Sequence, residues 1–436
     1  MTDAPDLLDR RRKTMGAAPL FYDEPLHLVR GQGVHLYGQD GRRYLDCYNN
    51  VQVVGHCHPR VNEAIARQND TLNVHSRYLT QGIVDYSQRL LETFANGLDQ
   101  VLYTCSGSEA NDQALRIART RGSGRGIICS SHAYHGNTAA VEQVSPLIHR
   151  NRHCFDEVRS VPFPQIYRPL GGLVGEALIQ AYLAQIEDEI ESFDTTGVGL
   201  AGMIFCPIFA NEGLPRIPAT LLERACALVR DAGGLVIIDE VQAGFGRTGS
   251  MWGHQAMGIT ADIVTLGKPM GNGYPVAAVV SRSELLDGFR DKTFYFNTFA
   301  ASPTAAAAAM AVLDVIEDEG LMDNARTVGA LVRRGLAELA AKHALIGDIR
   351  GKGLWVGLEL VSDHASREPA TWETGQLVEA LRQRGILVNR IGPFGNVLKI
   401  RPPLVFKTEH AQELLAAIEQ SLEVLEGSGQ ERKDAL

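Results

Sequence analysis

Two apolar runs, each followed at once by a side chain able to do chemistry, constrain the fold of this chain most. The first run, Leu235 to Ile238, is followed by Asp239, and the second, Ile263 to Leu266, leads into Gly267 and Lys268. Runs that are apolar at every position are typical of strands buried on both faces of a parallel sheet. Open α/β sheets bind ligands at the carboxyl ends of their strands. The sequence therefore predicts a carboxylate and an amine at the ligand-binding edge of a parallel sheet.

Strand and helix patterns alternate on both sides of these runs. Strand patterns at Val101 to Cys105, Gly126 to Ser130 and Ala201 to Cys206 are separated by segments in which apolar residues have helical spacing. This succession predicts an α/β fold whose sheet is mostly parallel and doubly wound.

The length of the chain and its C-terminal pattern indicate a second domain. At 436 residues the chain can hold two domains with substantial cores. After Leu321, helices alternate with short strands, which predicts a smaller α+β domain. We expect residues 1–58 to form an N-terminal arm and part of the small domain, residues 59–305 the large domain, and residues 306–436 the C-terminal small domain.

Composition argues against several classes of protein. Hydrophobic residues at 45% and charged residues at 21% are ordinary for a soluble globular enzyme, and the net charge of −9 argues against nucleic acid as a partner. The sequence has neither an apolar stretch of about 20 residues nor an apolar signal segment, so we expect no membrane association and a cytoplasmic location. The seven cysteines are scattered without paired spacing, which favours reduced thiols.

Lys268 and Asp239 have plain structural alternatives when each is taken singly, a surface amine and a solvated strand end. Together they suggest a cofactor site. A lysine that condenses with an aldehyde cofactor needs a partly desolvated position that lowers its pKa. A carboxylate placed against a pyridine nitrogen keeps that nitrogen protonated, so that the ring can accept electrons from a carbanion.

The local sequence around this pair resembles a known family. DEVQAGFGRTG (Asp239 to Gly249) followed by TLGKPMGNG (Thr265 to Gly273) is similar to the cofactor-lysine region of class-III aminotransferases, which use pyridoxal 5'-phosphate (PLP). The resemblance implies PLP fold type I, of the aspartate aminotransferase type, with PLP as the cofactor. It also implies that Lys268 binds the cofactor, that Asp239 faces the pyridine nitrogen and that Gln242 lies on the ring-hydroxyl side.

A small turn that leads into a helix is the predicted phosphate site. In SGSEAN, which begins at Ser106, free backbone N–H groups and the positive end of the helix dipole can hold a phosphate. The plain alternative is a capping box between Ser106 and Glu109, and both can hold at once. The segment is similar to the PLP-phosphate loop of the family, which implies that Gly107 and Ser108 bind the cofactor phosphate.

Two further cofactor contacts come from the resemblance. Tyr134 follows a strand pattern, where a tyrosine commonly packs in the core but can also stack on a planar cofactor; the resemblance assigns it the stacking role. Thr298 resembles the threonine that reaches the PLP phosphate of the neighbouring subunit. The implied assembly is a homodimer, or a dimer of dimers, with the active site at the subunit interface.

Two motifs are set aside. His56, Cys57 and His58 suggest a metal site, but no second cluster of histidine or cysteine supplies the remaining ligands, so we expect a structural loop and no metal. Gly244 to Gly249 fits G-x-G-x-x-G but lacks the strand, turn and helix context of a dinucleotide site.

The reaction type is predicted from departures from the aminotransferase pattern. The family segment E-P-x-Q-G-E is replaced by Cys206 to Asn211, so Asn211 stands where a glutamate commonly pairs with a substrate-binding arginine and releases it for an α-carboxylate. The position of that arginine matches Arg401. An arginine without a counter-carboxylate can hold an anion permanently.

Four segments resemble the ethanolamine-phosphate and phosphohydroxylysine phospho-lyases of the same family: Leu45 to His56, Asn73 to Leu79, His343 to Arg350 and Asn396 to Ile400. The first of them is also about two residues shorter than in most aminotransferases.

The implied reaction removes phosphate from a small phosphorylated amine such as phosphoethanolamine, giving an aldehyde, ammonia and phosphate, with Lys268 as the base. Arg401 and Arg77 are candidates for binding the substrate phosphate, with interface ion pairs as their plain alternative. A class-III aminotransferase that moves an amino group from an ω-amine to a 2-oxo acid is the alternative reaction. A non-enzymatic PLP-binding regulator is remote, because no DNA-binding module accompanies the PLP domain.

Overall fold

The computed structural model describes residues 4–95, 97–148 and 155–434. Its helices are α1 (Ala4–Met15), α2 (Pro59–Thr71), α3 (Gln81–Leu91), α4 (Gly107–Arg121), α5 (Ala139–Gln143), α6 (Gly175–Thr195), α7 (Leu221–Asp231), α8 (Gly253–Ala256), α9 (Ser283–Lys292), α10 (Pro303–Asp318), α11 (Leu321–Ala340), α12 (Thr371–Gln383) and α13 (Thr408–Asp434). Its strands are β1 (Leu28–Gln32), β2 (His35–Gly38), β3 (Arg43–Asp46), β4 (Gln100–Thr104), β5 (Gly126–Ser130), β6 (Val158–Val161), β7 (Leu200–Phe205), β8 (Leu235–Asp239), β9 (Ile263–Leu266), β10 (Ala277–Ser281), β11 (Ile346–Lys352), β12 (Trp355–Asp363), β13 (Glu368–Pro369), β14 (Ile386–Leu387), β15 (Asn389–Ile391) and β16 (Val397–Ile400).

A seven-stranded sheet in the order β4-β10-β9-β8-β7-β5-β6 forms the centre of the molecule. The strands from β6 to β9 are parallel to their neighbours, whereas β10 is antiparallel to β4 and to β9. Every residue of β5, β8, β9 and β10 is buried, because helices cover the sheet. The predicted α/β fold with a mostly parallel, doubly wound sheet is confirmed.

Two smaller sheets accompany the central sheet, and the first of them joins the N-terminal and C-terminal parts of the chain. One has the order β1-β2-β3-β14, and its last pair is parallel, with Leu45 opposite Ile386 and Asp46 opposite Leu387. The other has the order β11-β12-β16-β15, with β13 paired to β12. The loop that follows β3 is therefore held beside β16, where the Arg401 N–H donates to the Cys47 carbonyl at 2.7 Å. The domain boundaries at residues 58 and 305 stay a prediction.

Four strands, β1, β6, β13 and β15, were not predicted, and β1, β6 and β15 lie at sheet edges. Strand β1 is largely exposed, and β6 is only half-buried where it pairs with β5 inside the Pro- and Gly-rich segment 145–175, for which the sequence predicts a loop. Residues 149–154 of that segment lie outside the described residues. Edge strands are half-solvated, so neither an unbroken apolar run nor a clean alternation marks them.

Two other features bear on the predictions from composition. None of the helices in the described residues is long and apolar enough to cross a membrane. The six cysteines of the described part of the chain are all free thiols.

Candidate active site

The predicted carboxylate and amine lie at the same edge of the central sheet. Strands β8 and β9 are parallel neighbours, and Asp239 is paired with Thr265. Lys268 therefore lies three residues beyond the residue that is paired with Asp239. Burial lowers the pKa of Lys268, the nearby Asp239 carboxylate opposes this, and Arg401 adds to it. The side chain of Lys268 is nonetheless exposed to solvent. An amine with these properties is suited to condense with an aldehyde.

Asp239 is held in one orientation by a buried hydrogen-bond network. The Nδ1 atom of His135 lies 2.6 Å from Asp239 Oδ2, and the side-chain amide of Asn111 donates to the same oxygen at 3.1 Å. The Val241 N–H donates to Oδ1 at 3.0 Å, and the Thr265 hydroxyl donates to Asn111 at 2.6 Å. This network fixes the carboxylate at the strand end, as contact with a cofactor ring requires. Sequence reasoning missed His135 and Asn111, although both flank predicted cofactor residues.

Helix α4 begins at the predicted phosphate loop. The Ser106 hydroxyl accepts the Glu109 N–H at 3.2 Å, and the Glu109 carboxylate accepts the Ser106 N–H at 2.8 Å, so the predicted capping box is present. A Cβ atom on Gly107 would meet Val241 Cγ1 at 2.8 Å, and Ser108 Oγ donates to Asn137 at 3.0 Å. Only a glycine fits this close approach, and the first turn of α4 leaves unpaired N–H groups. These residues fit the phosphate group of PLP.

Replacing Gly107 with alanine is expected to weaken PLP binding about 10-fold or more, because overpacking costs about 1–3 kcal/mol. The added Cβ would meet Val241 Cγ1 at 2.8 Å and push the loop away from the phosphate. Titration of the apoprotein with PLP, followed by absorbance, measures the dissociation constant. Gly122→Ala at the other end of α4 is the control, because a Cβ there has no heavy atom within 4 Å. Equal affinities for the two variants would contradict the assignment.

A pair of buried cations forms the second half of the site. Lys399 and Arg401 are 2% and 5% exposed, and the centroid of the Trp355 ring lies 5.4 Å from each cationic group. The side-chain oxygen of Gln242 accepts hydrogen bonds from Lys399, at 3.3 Å, and from Arg401. Arg401 also donates to the Tyr48 carbonyl at 3.0 and 2.8 Å. Within the described ranges, neither cation has a carboxylate at salt-bridge distance.

Sequence reasoning predicted Arg401 but missed Lys399. The signal was present, because Lys399 and Arg401 are two residues apart at the end of a strand and therefore lie on the same face. Burial lowers the pKa of Arg401 to about 10, which leaves the guanidinium charged at neutral pH. In this structure Gln242 contacts the cation pair, and its role at the ring hydroxyl stays a prediction.

The loop after β3 forms one wall beside these cations. Asp46 accepts hydrogen bonds from the N–H groups of Tyr48 and Asn49, at 3.0 and 2.9 Å, and its second oxygen lies 2.7 Å from His56 Nε2. Asn50 is buried and donates to the Gln242 carbonyl at 3.0 Å, while its Oδ1 atom has no hydrogen-bond partner. Asn50 Oδ1 therefore remains available as a hydrogen-bond acceptor beside the cation pair.

The histidines of the suspected metal motif are paired elsewhere. His56 contacts Asp46, and His58 Nε2 lies 3.3 Å from Glu319, so the two imidazoles serve different neighbours. In the part of the chain that the structure describes, no three metal-ligating side chains form a cluster.

Asn211 stands where the aminotransferase pattern has a glutamate, and it lies close to Tyr134. Its side-chain amide is 3.5 Å from the Tyr134 carbonyl. The adjacent Glu212 is buried, and its oxygens accept from the Ser130 hydroxyl at 2.5 Å and from the Asn211 N–H at 3.0 Å. Burial raises the pKa of Glu212, and the Ser130 hydrogen bond opposes this. The Glu212 carboxylate is thus hydrogen-bonded to Ser130 and the Asn211 N–H rather than to Arg401. The stacking role of Tyr134 stays a prediction.

Two predicted residues lie apart from the rest of the site in this chain. Thr298 is exposed and lines a cleft with Cys105 and Phe299, at the entrance to the phosphate loop. Arg77 is also exposed, and its guanidinium lies 4.2 Å from the centroid of the Phe296 ring. Both side chains are exposed in the single chain, and their roles stay predictions.

Comparison with known proteins matches this geometry. The family model for class-III aminotransferases matches residues 21–422. Ethanolamine-phosphate phospho-lyase homolog 1 of Caenorhabditis elegans is 38% identical over 96% of this chain and 94% of its own length. Alanine–glyoxylate aminotransferase 2 homolog 2, mitochondrial, of Arabidopsis thaliana is 38% identical over 96% of this chain and 87% of its own length. A solved Arthrobacter phospholyase in complex with phosphoethanolamine is 44% identical, with a TM-score of 0.93 over 96% of this chain and 99% of that one. The chain belongs to the class-III aminotransferase family of PLP-dependent enzymes.

Proposed function

We propose that this protein is a PLP-dependent phospho-lyase that eliminates phosphate from a small phosphorylated amine such as phosphoethanolamine, giving an aldehyde, ammonia and phosphate. The observation that carries the proposal is the buried pair Lys399 and Arg401, which has no carboxylate partner among the described residues. The 44% identity to the Arthrobacter phospholyase solved with phosphoethanolamine supports it.

Charge balance favours a permanently anionic substrate. Burying unpaired charges is costly, and a dianionic phosphate would offset that cost at Lys399 and Arg401 together. A transaminase that alternates between an ω-amine and a 2-oxo acid needs an arginine whose charge is masked in one half-reaction. Here the masking position holds Asn211, and the neighbouring Glu212 bonds Ser130 instead. Arg401 is therefore charged and available to an anion in every stage of the reaction.

The residues of the chain divide the work between proton transfer and anion binding. When bound, PLP supplies an electron sink for the carbanion that forms beside the substrate amine. Asp239 keeps the ring nitrogen protonated, and His135 and Asn111 hold Asp239 in place. Lys268 removes the proton from the carbon that bears the amine. Arg401 and Lys399 hold the phosphate while the C–O bond breaks.

Product analysis tests the proposal. The PLP-loaded protein is incubated with phosphoethanolamine in the absence of any 2-oxo acid, and phosphate, acetaldehyde and ammonia are quantified. We expect the three products in equal amounts. The Arabidopsis relative named as an aminotransferase favours amino-group transfer as the second candidate. Transfer to pyruvate or 2-oxoglutarate without release of phosphate would overturn the proposal and establish that candidate.

Replacing Arg401 with methionine is expected to raise KM for phosphoethanolamine about 10–100-fold, because each hydrogen bond to a charged group is worth about 1.5–3 kcal/mol. Initial rates of phosphate release give KM. Arg390→Met is the matched control, since Arg390 lies on the adjacent strand β15 but is exposed and donates to the Thr371 carbonyl. A similar rise in both variants would show that Arg401 acts through the fold rather than through the substrate.

We also propose that the active unit is at least a homodimer. Around Arg77 and Thr298 the chain exposes large apolar side chains, with Leu79, Phe294 and Phe299 exposed by 100%, 79% and 76%. Large apolar side chains exposed to this extent are typical of an interaction surface. Since Thr298 lies at the rim of this surface, a second copy that covers it would receive Thr298 near its own phosphate loop.

Subunit mixing tests the shared site. Thr298→Glu should be inactive, because its carboxylate would repel the cofactor phosphate, and Lys268→Ala should be inactive because it lacks the amine. If Thr298 serves the partner, refolding the two together restores about a quarter of wild-type activity, since about half of the dimers are mixed and each has one intact site of two. Mixing Lys268→Ala with Asp239→Asn is the control and should restore nothing. No recovery in the first mixture would place Thr298 in its own subunit's site.

A further inference from the structure

Phosphate needs a proton in order to leave. If the C–O bond of a phosphate ester dianion breaks without proton transfer, the product is the phosphate trianion, which is a stronger base than a lysine amine and a poor leaving group. A positioned acid that delivers a proton as the bond breaks removes this barrier, and such catalysis is worth about 10²–10⁴-fold in rate. The groups named above for proton removal and anion binding leave this second proton unassigned.

We propose that Lys399 is the proton donor to the leaving phosphate. This inference rests on the proposed phospho-lyase function and adds a catalytic residue to it. Lys399 is buried beside Arg401, hydrogen-bonded to Gln242 at 3.3 Å and placed over Trp355. Arg401 stays protonated and Gln242 has no ionisable proton, so among the groups of this anion pocket Lys399 is the one able to give a proton away.

The surroundings of Lys399 prepare it for this role. Burial, Arg401 and Lys268 lower the pKa of Lys399 well below its ordinary value, while Cys206 and Glu212 oppose this. The Trp355 ring contributes no charge. The amine is therefore poorly able to keep its proton while the pocket is empty. A dianionic phosphate reverses the balance, because an opposite charge favours the protonated form. Binding of the substrate phosphate thus favours the protonated form of Lys399, which then serves as the proton donor when the phosphate leaves.

The proton and electron balance closes. Lys268 takes the proton from the carbon that bears the amine, and the electron pair left on that carbon forms a C=C bond to the neighbouring carbon as its C–O bond breaks. The electron pair of the breaking C–O bond stays on the oxygen bonded to phosphorus, and a proton moves from Nζ of Lys399 to that phosphate, which leaves as hydrogen phosphate. Lys399 is left uncharged and regains a proton from water when the next substrate binds. No oxidant or reductant is needed.

Two substrates and a conservative variant separate proton donation from anion binding. Lys399→Arg keeps the positive charge, but a guanidinium does not give up its proton. With phosphoethanolamine we expect kcat of this variant to fall about 10²–10⁴-fold while KM stays within about 10-fold. With 2-aminoethyl sulfate, whose sulfate leaves as a weakly basic dianion and needs no acid, the loss should be at least about 10-fold smaller. Equal losses for both esters, or no loss with phosphoethanolamine, would overturn the proposal; the second result would assign both protons to Lys268.

Calorimetry gives a second test of the Lys399 assignment that does not depend on turnover. If the enzyme does not accept the sulfate ester as a substrate, this test is the one that decides. Inorganic sulfate does not titrate near neutral pH, so titrating it into the PLP-loaded protein in two buffers of different ionisation enthalpy counts the protons that the protein takes up. We expect an uptake of up to about one proton per site in the wild type and none in Lys399→Met. No uptake by the wild type would overturn the proposal, as would equal uptake by both proteins. If the wild type takes up a proton but releases no phosphate from phosphoethanolamine, the proposed function fails and the Lys399 assignment is withdrawn with it.

Discussion

Lys268→Ala is expected to lose activity by about 10⁴-fold or more, since general-base catalysis alone contributes up to about 10⁴-fold and the variant also loses the covalent link to the cofactor. Partial desolvation lowers the pKa of Lys268 while its side chain stays exposed to solvent, so the amine is available both to condense and to accept a proton. The absorbance band of lysine-bound PLP should disappear, while PLP should still bind through the phosphate loop. Absorbance after gel filtration and initial rates measure the two effects separately.

Lys407→Ala is the control for this experiment, because Lys407 is an exposed lysine in the turn before α13. Its spectrum and rates should match the wild type. Activity of Lys268→Ala within about 10-fold of the wild type would remove the basis of the PLP assignment, because Lys268 is the lysine that follows β9 and lies beside Asp239.

Asp239→Asn is expected to lower kcat by about 10²–10⁴-fold, since losing one partner of a buried charged pair costs about 3–5 kcal/mol. The amide carries no charge to hold a proton on the ring nitrogen, and it presents an N–H group to His135, whose Nδ1 lies 2.6 Å from the present carboxylate. The absorbance maximum of the bound cofactor should shift as the ring nitrogen loses its proton. Steady-state kinetics and a pH titration of the spectrum measure both changes.

Asp262→Asn separates this effect from general damage to the fold. Asp262 is a buried carboxylate just before β9, at the opposite edge of the sheet, where it accepts from Arg230 at 3.0 Å and from the Val236 N–H at 2.9 Å. This variant should unfold at a lower temperature but keep kcat near the wild-type value. If both variants lose stability and kcat to the same extent, Asp239 has a structural role only.

The sequence predicted the part of the site that consecutive residues define. Asp239 and Lys268 each follow an unbroken apolar run, and Gly107 and Ser108 open a helix with a capping box, so their places at the carboxyl edge of the sheet follow from local pattern alone. Parallel β8 and β9 then bring the carboxylate and the lysine together without further information.

The sequence predicted Arg401 but not the rest of the anion pocket, because pairing between strands that are far apart in the sequence brings its residues together. Asn50 and Lys399 are separated by most of the chain and meet because β14 pairs with β3 and the Arg401 N–H donates to the Cys47 carbonyl. Both residues fall in segments that resemble the phospho-lyases, but no local pattern marks either side chain as part of an anion pocket, and a lysine at a strand end is commonly a solvated group. Trp355 reaches the same pocket because Val356 on β12 pairs with Ile400 on β16. Sequence periodicity predicts that such strands exist, but it does not specify which strands are neighbours.

The pairing of β3 with β14 also sets the order in which the molecule can be built. Synthesis runs from the N-terminus, so all seven strands of the central sheet have been made once Ser281 is added. Strand β3 must wait for Leu387, and until then its free edge is a template for pairing with other chains. A ribosome-bound or prematurely terminated chain therefore contains the carboxyl edge of the central sheet, with Asp239 and Lys268, but lacks the anion pocket. The last segment to be made both completes catalysis and removes an aggregation hazard.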